Sequence, residues 1–241
     1  EEFLELFGAC RRVSDVVLVI DELERDRLAD AARVAATAEV ATPRRGERLC
    51  LTGASIVAPD GRSLVKDLSF SVESTGKGNL LISGPNGVGK SSIVRVLTGV
   101  WQPQAGRVGR PHKTGAVSQH ALVPTTPVSL LDMVTYPKQL DAGSEAEAAA
   151  IELLSPLMER LRVSYLVERH RERWHAVRPW ETILSAGEQQ SLGIVRLLHA
   201  KPSFAILDEA TAAMPEDMRR EVYALLQERQ VAYVTVSGDA L

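Results

Sequence analysis

The run Gly84-Pro-Asn-Gly-Val-Gly-Lys-Ser91 sets glycines, a lysine and a hydroxyl between a short apolar stretch, Asn79-Leu-Leu-Ile-Ser83, and a helical pattern over residues 91–97. Strand, glycine-rich loop and helix in that order make a phosphate-binding P-loop, whose glycines let backbone N–H groups wrap phosphate oxygens at a helix N-terminus. Gly84, Asn86, Gly87 and Gly89 supply the cradle, and Lys90 reaches the β- and γ-phosphates of a nucleotide. Ser91 offers a hydroxyl to Mg²⁺, and Ser92 completes the cofactor-binding set. Further on, Phe204-Ala-Ile-Leu-Asp-Glu209 is an apolar strand ending in two acids. A carboxylate at the C-terminal edge of a parallel sheet is where a nucleotide's Mg²⁺ is held, so Asp208 is read as a metal and cofactor residue and Glu209 as the group that polarises attacking water.

The elements that must position these residues follow from periodicity and turn chemistry. Residues 48–57 and 63–72 are β-branched and partly alternating, and Pro59-Asp60-Gly61 between them is a hairpin signal. They predict an antiparallel β layer. Residues 144–161 predict a helix with Ser144 and Glu147 as a capping box and Ile151, Leu154, Leu157, Met158 and Leu161 as its apolar face, kinked or restarted at Pro156. A helix from Glu188 to Ala200, a strand over 204–207, a helix over 215–229 and a strand over 231–236 then alternate, which predicts a parallel α/β core with a helical insert ahead of it. Residues 1–38 read as one long helix, and Ala41-Thr-Pro-Arg-Arg-Gly46 breaks it. The expected division is a linker segment over 1–42 and a nucleotide-binding domain over 43–241.

Leu184-Ser-Ala-Gly-Glu188, followed by Gln189, Gln190 and a helix, lies 23 residues before Asp208 as counted from Ser185. The LSxGE(x)Q pattern at that distance resembles the signature of the ABC family, whose fold is an α/β P-loop NTPase. The resemblance implies that Ser185 and Gly187 bind the γ-phosphate of an ATP held by a second nucleotide-binding domain, in a homo- or heterodimer. It further implies that Gln119, which follows Ala116-Val117, is the glutamine that senses Mg²⁺ and water, catalytic and metal-linked at once. The stretch Ser129-Leu-Leu-Asp-Met-Val-Thr-Tyr-Pro137 is similar to the segment that faces the membrane domain. LISGPNGVGKSSIVRVLTGVWQPQAGRV, Trp180 and His199-Ala-Lys-Pro202 look like subfamily D, the half-transporters of peroxisomes and related organelles that carry long-chain fatty acyl substrates. On that resemblance the first helix is the end of a transmembrane domain and its linker, and the nucleotide-binding domain faces the cytosol at a membrane.

Four departures qualify the resemblance. No aromatic side chain stands near Val57-Ala58-Pro59 to stack on adenine. The segment Ala212-Ala213-Met214-Pro215 lacks the acid of the family's D-loop, and Ser191 stands where arginine is usual. The family's switch histidine is replaced by Gly238, flanked by Ser237 and Asp239, which predicts a slow site or one that relies on a competent partner. Two other readings remain in view, a soluble ABC-type ATPase and a binding module that closes on ATP without turning it over.

Composition fits these readings. Apolar residues make up 45%, charged residues 24%, and the net charge is −3, which gives no field for nucleic acid. Cys10 and Cys50 lie far apart without metal-ligand spacing, and the histidines at 112, 120, 170, 175 and 199 show none either. The absence of an Asn-Lys-x-Asp motif argues against a GTPase. No run reaches the roughly 20 apolar residues that cross a bilayer. The chain opens on Glu1-Glu2-Phe3, and a truncated or processed segment is expected.

Overall fold

The apolar run at 204–207 has both faces covered, and its neighbours show why. In the computed structural model, Phe204 and Ile206 enter one apolar cluster while Ala205 and Leu207 enter another. A strand buried on both sides reads as a continuous apolar run rather than an alternation. This strand, β8 (Phe204–Asp208), stands inside a parallel sheet with β3 (Leu80–Ser83), β5 (Thr114–Val117) and β9 (Ala232–Ser237), in the order β3-β9-β8-β5. The structure describes residues 48–74, 78–111, 113–119 and 121–238. The chain divides into two compact units between Thr42 and Pro43, and every described residue belongs to the second. The expected helix over 1–38, the break at 41–46, Cys10, His112, His120 and Asp239 lie outside the described residues.

The hairpin expected around Asp60-Gly61 is formed by β1 (Arg48–Val57) and β2 (Ser63–Glu73), paired antiparallel from Arg48 opposite Glu73 to Val57 opposite Ser63. A third strand that the sequence pattern did not announce, β4 (Ala105–Gly109), pairs with the other edge of β1. Helix α1 (Lys90–Thr98) packs against β1 on one side and against β8 and β9 on the other. Its Val96 and Leu97 join Leu49, Leu51, Ile56, Phe204, Ile206 and Val234 in a single cluster. Two buried faces leave α1 almost no freedom to shift.

Between β5 and β8 comes the helical insert, as expected. It holds β6 (Val128–Ser129), α2 (Leu130–Thr135), α3 (Glu145–Arg160), α4 (Tyr165–Glu168), β7 (Val177–Arg178), α5 (Trp180–Ile183) and α6 (Ala186–His199). Helix α7 (Glu216–Glu228) follows β8 and leads to β9. Two local expectations are corrected here. Helix α3 runs unbroken through Pro156 rather than restarting there. Pro156 forfeits only one bond from within a helix whose Leu154, Leu157 and Met158 are buried, so packing holds the two halves together. Ser144 does cap α3 by accepting from Glu147 N at 3.1 Å, but the Glu147 carboxylate accepts from Gly143 N instead of closing the box on Ser144.

Trp180 is fully buried at the centre of the insert, where its indole N–H donates to the Val128 carbonyl at 2.8 Å. Its phenylalanine replacement removes that hydrogen bond. Trp180→Phe should lower stability by about 1–3 kcal/mol, read as a shifted midpoint in urea unfolding with an unchanged slope.

Candidate nucleotide site

Helix α1 begins as few helices do. Its N-cap is Gly89 in the left-handed region (φ 99°), no side chain caps it, and its first turn holds Lys90 and no acid. The longer helices α3, α6 and α7 all carry acids in that turn. A helix N-terminus carries about half a positive charge, which acids normally offset. Here the offset is missing, and Gly87 (φ 83°) turns the preceding loop around the same point. The Lys90 ammonium donates to the carbonyls of Gly84 at 2.6 Å and Pro85 at 3.1 Å, folding back over its own loop. Such an arrangement seeks an anion.

Opposite it, at the C-terminal edge of the sheet, β8 ends in Asp208, and the chain then turns through Glu209 at φ 49°. The left-handed turn is unusual for a residue with a side chain, and it is secured on both sides. Glu209 N donates to Val236 O at 3.0 Å, and Glu209 O accepts from the Gln190 side chain at 3.3 Å. The Ser91 hydroxyl donates to Asp208 at 3.3 Å, and the Gln119 amide donates to Glu209 at 2.7 Å. Burial pushes the Asp208 carboxyl up, and the neighbouring Glu209 pushes the same way. The Ser91 hydroxyl, Arg95 and Lys90 pull it down without cancelling the rise.

Asn86, Gly87, Gly89, Lys90, Ser91, Ser92, Gln119 and Glu209 line one cleft of about 610 Å³, together with Ala58, Pro59, Arg62 and Leu64 of the hairpin and with Trp101. A second cleft of about 370 Å³ lies on the other side of Glu209 and is lined by Asn86, Arg219 and Gly238 among others. The expected phosphate, metal and water residues are thus assembled by one sheet edge. Ser185 and Gly187 line neither cleft. Ser185 caps α6 in a complete capping box: its hydroxyl oxygen accepts from Glu188 N at 3.3 Å while the Glu188 carboxylate accepts from Ser185 N at 2.6 Å. Burial pushes the Glu188 carboxyl up, yet the hydrogen bonds from Ser185 and from the Tyr165 hydroxyl outweigh it and hold Glu188 below its ordinary range. Burial and the same carboxylate push the Tyr165 phenol up to about 12. Gly187 lies so close to the chain after β8 that a Cβ there would sit 3.1 Å from Ala213 O.

The order of these parts decides the family. A model described as ABC transporter matches residues 65–212. The chain belongs to the ABC transporter family. It carries that family's ATPase domain, which binds ATP. It is 33% identical over 261 aligned positions to an Arabidopsis thaliana protein named ABC transporter D family member 1, covering 98% of this chain and 19% of the relative. It is 35% identical over 188 positions to the Mus musculus ATP-binding cassette sub-family D member 3, covering 76% of this chain and 27% of the relative. The resemblance to subfamily D is therefore borne out, and the chain spans 19% and 27% of the length of these two relatives. In fold it is similar to a bacterial Atm1-family ABC exporter solved with ATP bound, with a TM-score of 0.65 and 22% identity over 89% of this chain and 40% of the exporter chain.

The sequence reading passed over Gln190, which is buried in the first turns of α6. Its amide donates to Gln119 O and Glu209 O, both at 3.3 Å, and its oxygen accepts from Ala213 N at 3.0 Å. One side chain thereby joins three loops. Its place in the signature run was the available signal, but the pattern does not say what a buried amide reaches. Trp101, with the Arg95 guanidinium 4.9 Å from its ring centroid, was also passed over as a cleft residue.

A carboxyl with a raised folded pKa binds protons more readily folded than unfolded, so its contribution to stability falls as pH rises from the ordinary value near 3.8 through the folded one. At neutral pH the cost is fully present. Asp208→Asn, which keeps an acceptor for Ser91, should therefore raise the nucleotide-free thermal midpoint at pH 7. The gain should shrink as pH falls into the carboxylate range, as followed by calorimetry across pH.

Proposed function

We propose that the chain is the ATP-hydrolysing domain of a membrane transporter of the subfamily D type, working as one half of a two-domain ATPase. What carries this reading is that Lys90, Ser91, Gln119 and Glu209 share one cleft while the signature residues Ser185 and Gly187 stand outside it. A second nucleotide-binding domain, of the same or a different chain, then supplies the signature to each nucleotide, head to tail. Residues 1–42 act as the linker from a transmembrane domain. Among the described residues no helix is long and apolar enough to cross a membrane. By likeness to subfamily D the transported molecules are long-chain fatty acids or their acyl-CoA forms, and the membrane is that of the peroxisome or another organelle, with this domain on its cytosolic side. In the segment 129–137, Leu130, Leu131, Met133, Val134 and Thr135 are buried, leaving Asp132, Tyr136 and Pro137 exposed for contact with that membrane domain.

In this reading the P-loop N–H groups and Lys90 bind the phosphates, and Glu209, aligned by Gln119, accepts the proton of the attacking water. Mg²⁺ fits the donor set. Asp208 and Ser91 offer hard oxygens at the phosphate end, and no group of three or more His, Cys, Asp or Glu suited to caging a metal occurs among the described residues. A magnesium ion shared between a carboxylate, a hydroxyl and phosphate oxygens needs no such cage. When bound it supplies neutralising charge on the phosphates.

A second reading, an ATP-binding half that scarcely hydrolyses, is favoured by Gly238. A Cβ there would lie 3.8 Å from Glu209 and 3.9 Å from Asn86, so this is where a histidine would act.

Lys90→Ala should weaken MgATP binding at least about a hundredfold in an equilibrium titration, because the mobile positive charge over the phosphates is lost. Undiminished affinity would refute the P-loop assignment. Glu209→Gln, which keeps the shape but not the base, should trap an ATP-dependent dimer in light scattering, and adding Ser185→Glu to the same chain should abolish that dimer by setting a carboxylate against the partner's γ-phosphate. A Glu209→Gln chain that stays monomeric when saturated with ATP would count against the two-domain site.

A further inference from the structure

The cleft beside Gly238 is not short of a donor. It is walled by Asn86 of the P-loop, Glu209, Thr211, Tyr223 and Arg219, the last from the first turns of α7. Arg219 donates one terminal nitrogen to Glu216, yet its Nε is buried and is the one buried side-chain nitrogen or oxygen without a hydrogen-bond partner among the described residues. A buried, unpartnered N–H of a guanidinium is costly and calls for a partner, which a ligand oxygen in the adjoining cleft can supply. The next residue gives the contrast. Arg220 pairs with the other oxygen of Glu216 at 3.0 Å and is 79% exposed. Two arginines share one carboxylate, and only the one that faces Glu209 and Gly238 keeps a buried donor in reserve.

We propose that Arg219 donates to the γ-phosphoryl oxygens during hydrolysis and fills the place that Gly238 leaves empty of a side chain. This rests on the reading of the chain as an ATPase and deepens it. In the step concerned, the water oxygen forms the new bond to the γ-phosphorus. The bond from that phosphorus to the β–γ bridging oxygen breaks with its electron pair leaving on ADP, and the water's proton passes to the Glu209 carboxylate. The Arg219 guanidinium faces the three equatorial oxygens on which charge spreads in a loose transition state, where a positioned donor is worth most. At Gly238 a Cβ would meet Glu209 at 3.8 Å and Asn86 at 3.9 Å, ordinary contact distances, so the place is open and is reached from α7 instead. The Glu216 contact holds the guanidinium from the helix side without consuming Nε.

The test compares steady-state hydrolysis and equilibrium MgATP binding in the unmodified chain, Arg219→Gln, Arg219→Lys, Arg220→Gln and Arg219→Gln combined with Gly238→His. Arg219→Gln should lower kcat about ten- to a hundredfold while the Kd for MgATP moves less than about threefold. Arg219→Lys should retain part of the rate, Arg220→Gln should match the unmodified chain, and the added histidine should restore turnover to the double variant. Thermal midpoints read alongside separate loss of the fold from loss of the donor. The proposal is overturned if Arg219→Gln turns over normally, or if affinity and midpoint fall in step with the rate. It is equally overturned if the unmodified chain binds MgATP and does not hydrolyse it. Failure to bind MgATP at all would instead strike the ATPase reading beneath it, and the Lys90→Ala titration tells the two apart.

Discussion

The structure depends on a helix N-terminus and a sheet edge being held face to face. Helix α1 is pinned between β1 and the parallel strands β8 and β9, so its uncapped, acid-free end points at the place where β8 delivers two carboxylates. Neither side is at rest alone. Each group has a partner within the chain: Lys90 the carbonyls of Gly84 and Pro85, Asp208 the Ser91 hydroxyl, Glu209 the Gln119 amide. A polyphosphate with a divalent cation supplies negative charge for the first side and positive charge for the second. The fold's contribution is to hold the two fields side by side, with Ser91 of α1 hydrogen-bonded to Asp208 of β8 at 3.3 Å.

Holding Glu209 in a left-handed turn costs energy that local sequence does not return, and the surrounding contacts do. Val236 accepts its N–H, and Gln190 donates to its carbonyl. Gln190 also reaches Gln119 O and Ala213 N, so Glu209, Gln119 and the segment packed on Gly187 share a single amide. Because Gln190 lies on the same helix as Ser185, the signature end of α6 and the catalytic end of β8 are mechanically joined. In a chain whose segment at 212–215 lacks the acid expected there, this amide is the tie that remains.

Much of this was legible from residue order. The glycine run and the apolar strand ending in Asp208 and Glu209 announce their elements because backbone demands there are strict: positive φ in the loop, burial on both faces of the strand. The hairpin was legible from Asp60-Gly61 for the same reason. Strand β4 was not, since Ala105-Gly-Arg-Val-Gly109 carries too little apolar alternation and is held by the edge of β1. Helix α3 overrode Pro156 because burial of one face outweighs a single missing bond. The contacts of Gln190 and Arg219 were not legible, since nothing in a sequence says which loop a buried amide touches or which of two adjacent arginines turns inward.

The two helix N-termini of the nucleotide reading are not equivalent, and their difference implies an order of events. That of α1 has a lysine, no acid and backbone N–H groups left unclaimed by any side chain, so its field is undiminished. That of α6 is closed by Ser185 and Glu188 in a reciprocal cap, with the Glu188 carboxylate offsetting the helix dipole and Tyr165 binding that carboxylate from α4. An oxygen that accepts from Glu188 N still keeps its own O–H to donate, so Ser185 can bind a phosphate oxygen, but with little net charge behind it. Affinity for nucleotide therefore resides in α1 and its loop. On the proposed two-domain reading the signature would add a weakly charged, directional contact to phosphates already in place, so that closure of two domains would follow from binding and reverse when the γ-phosphate departs.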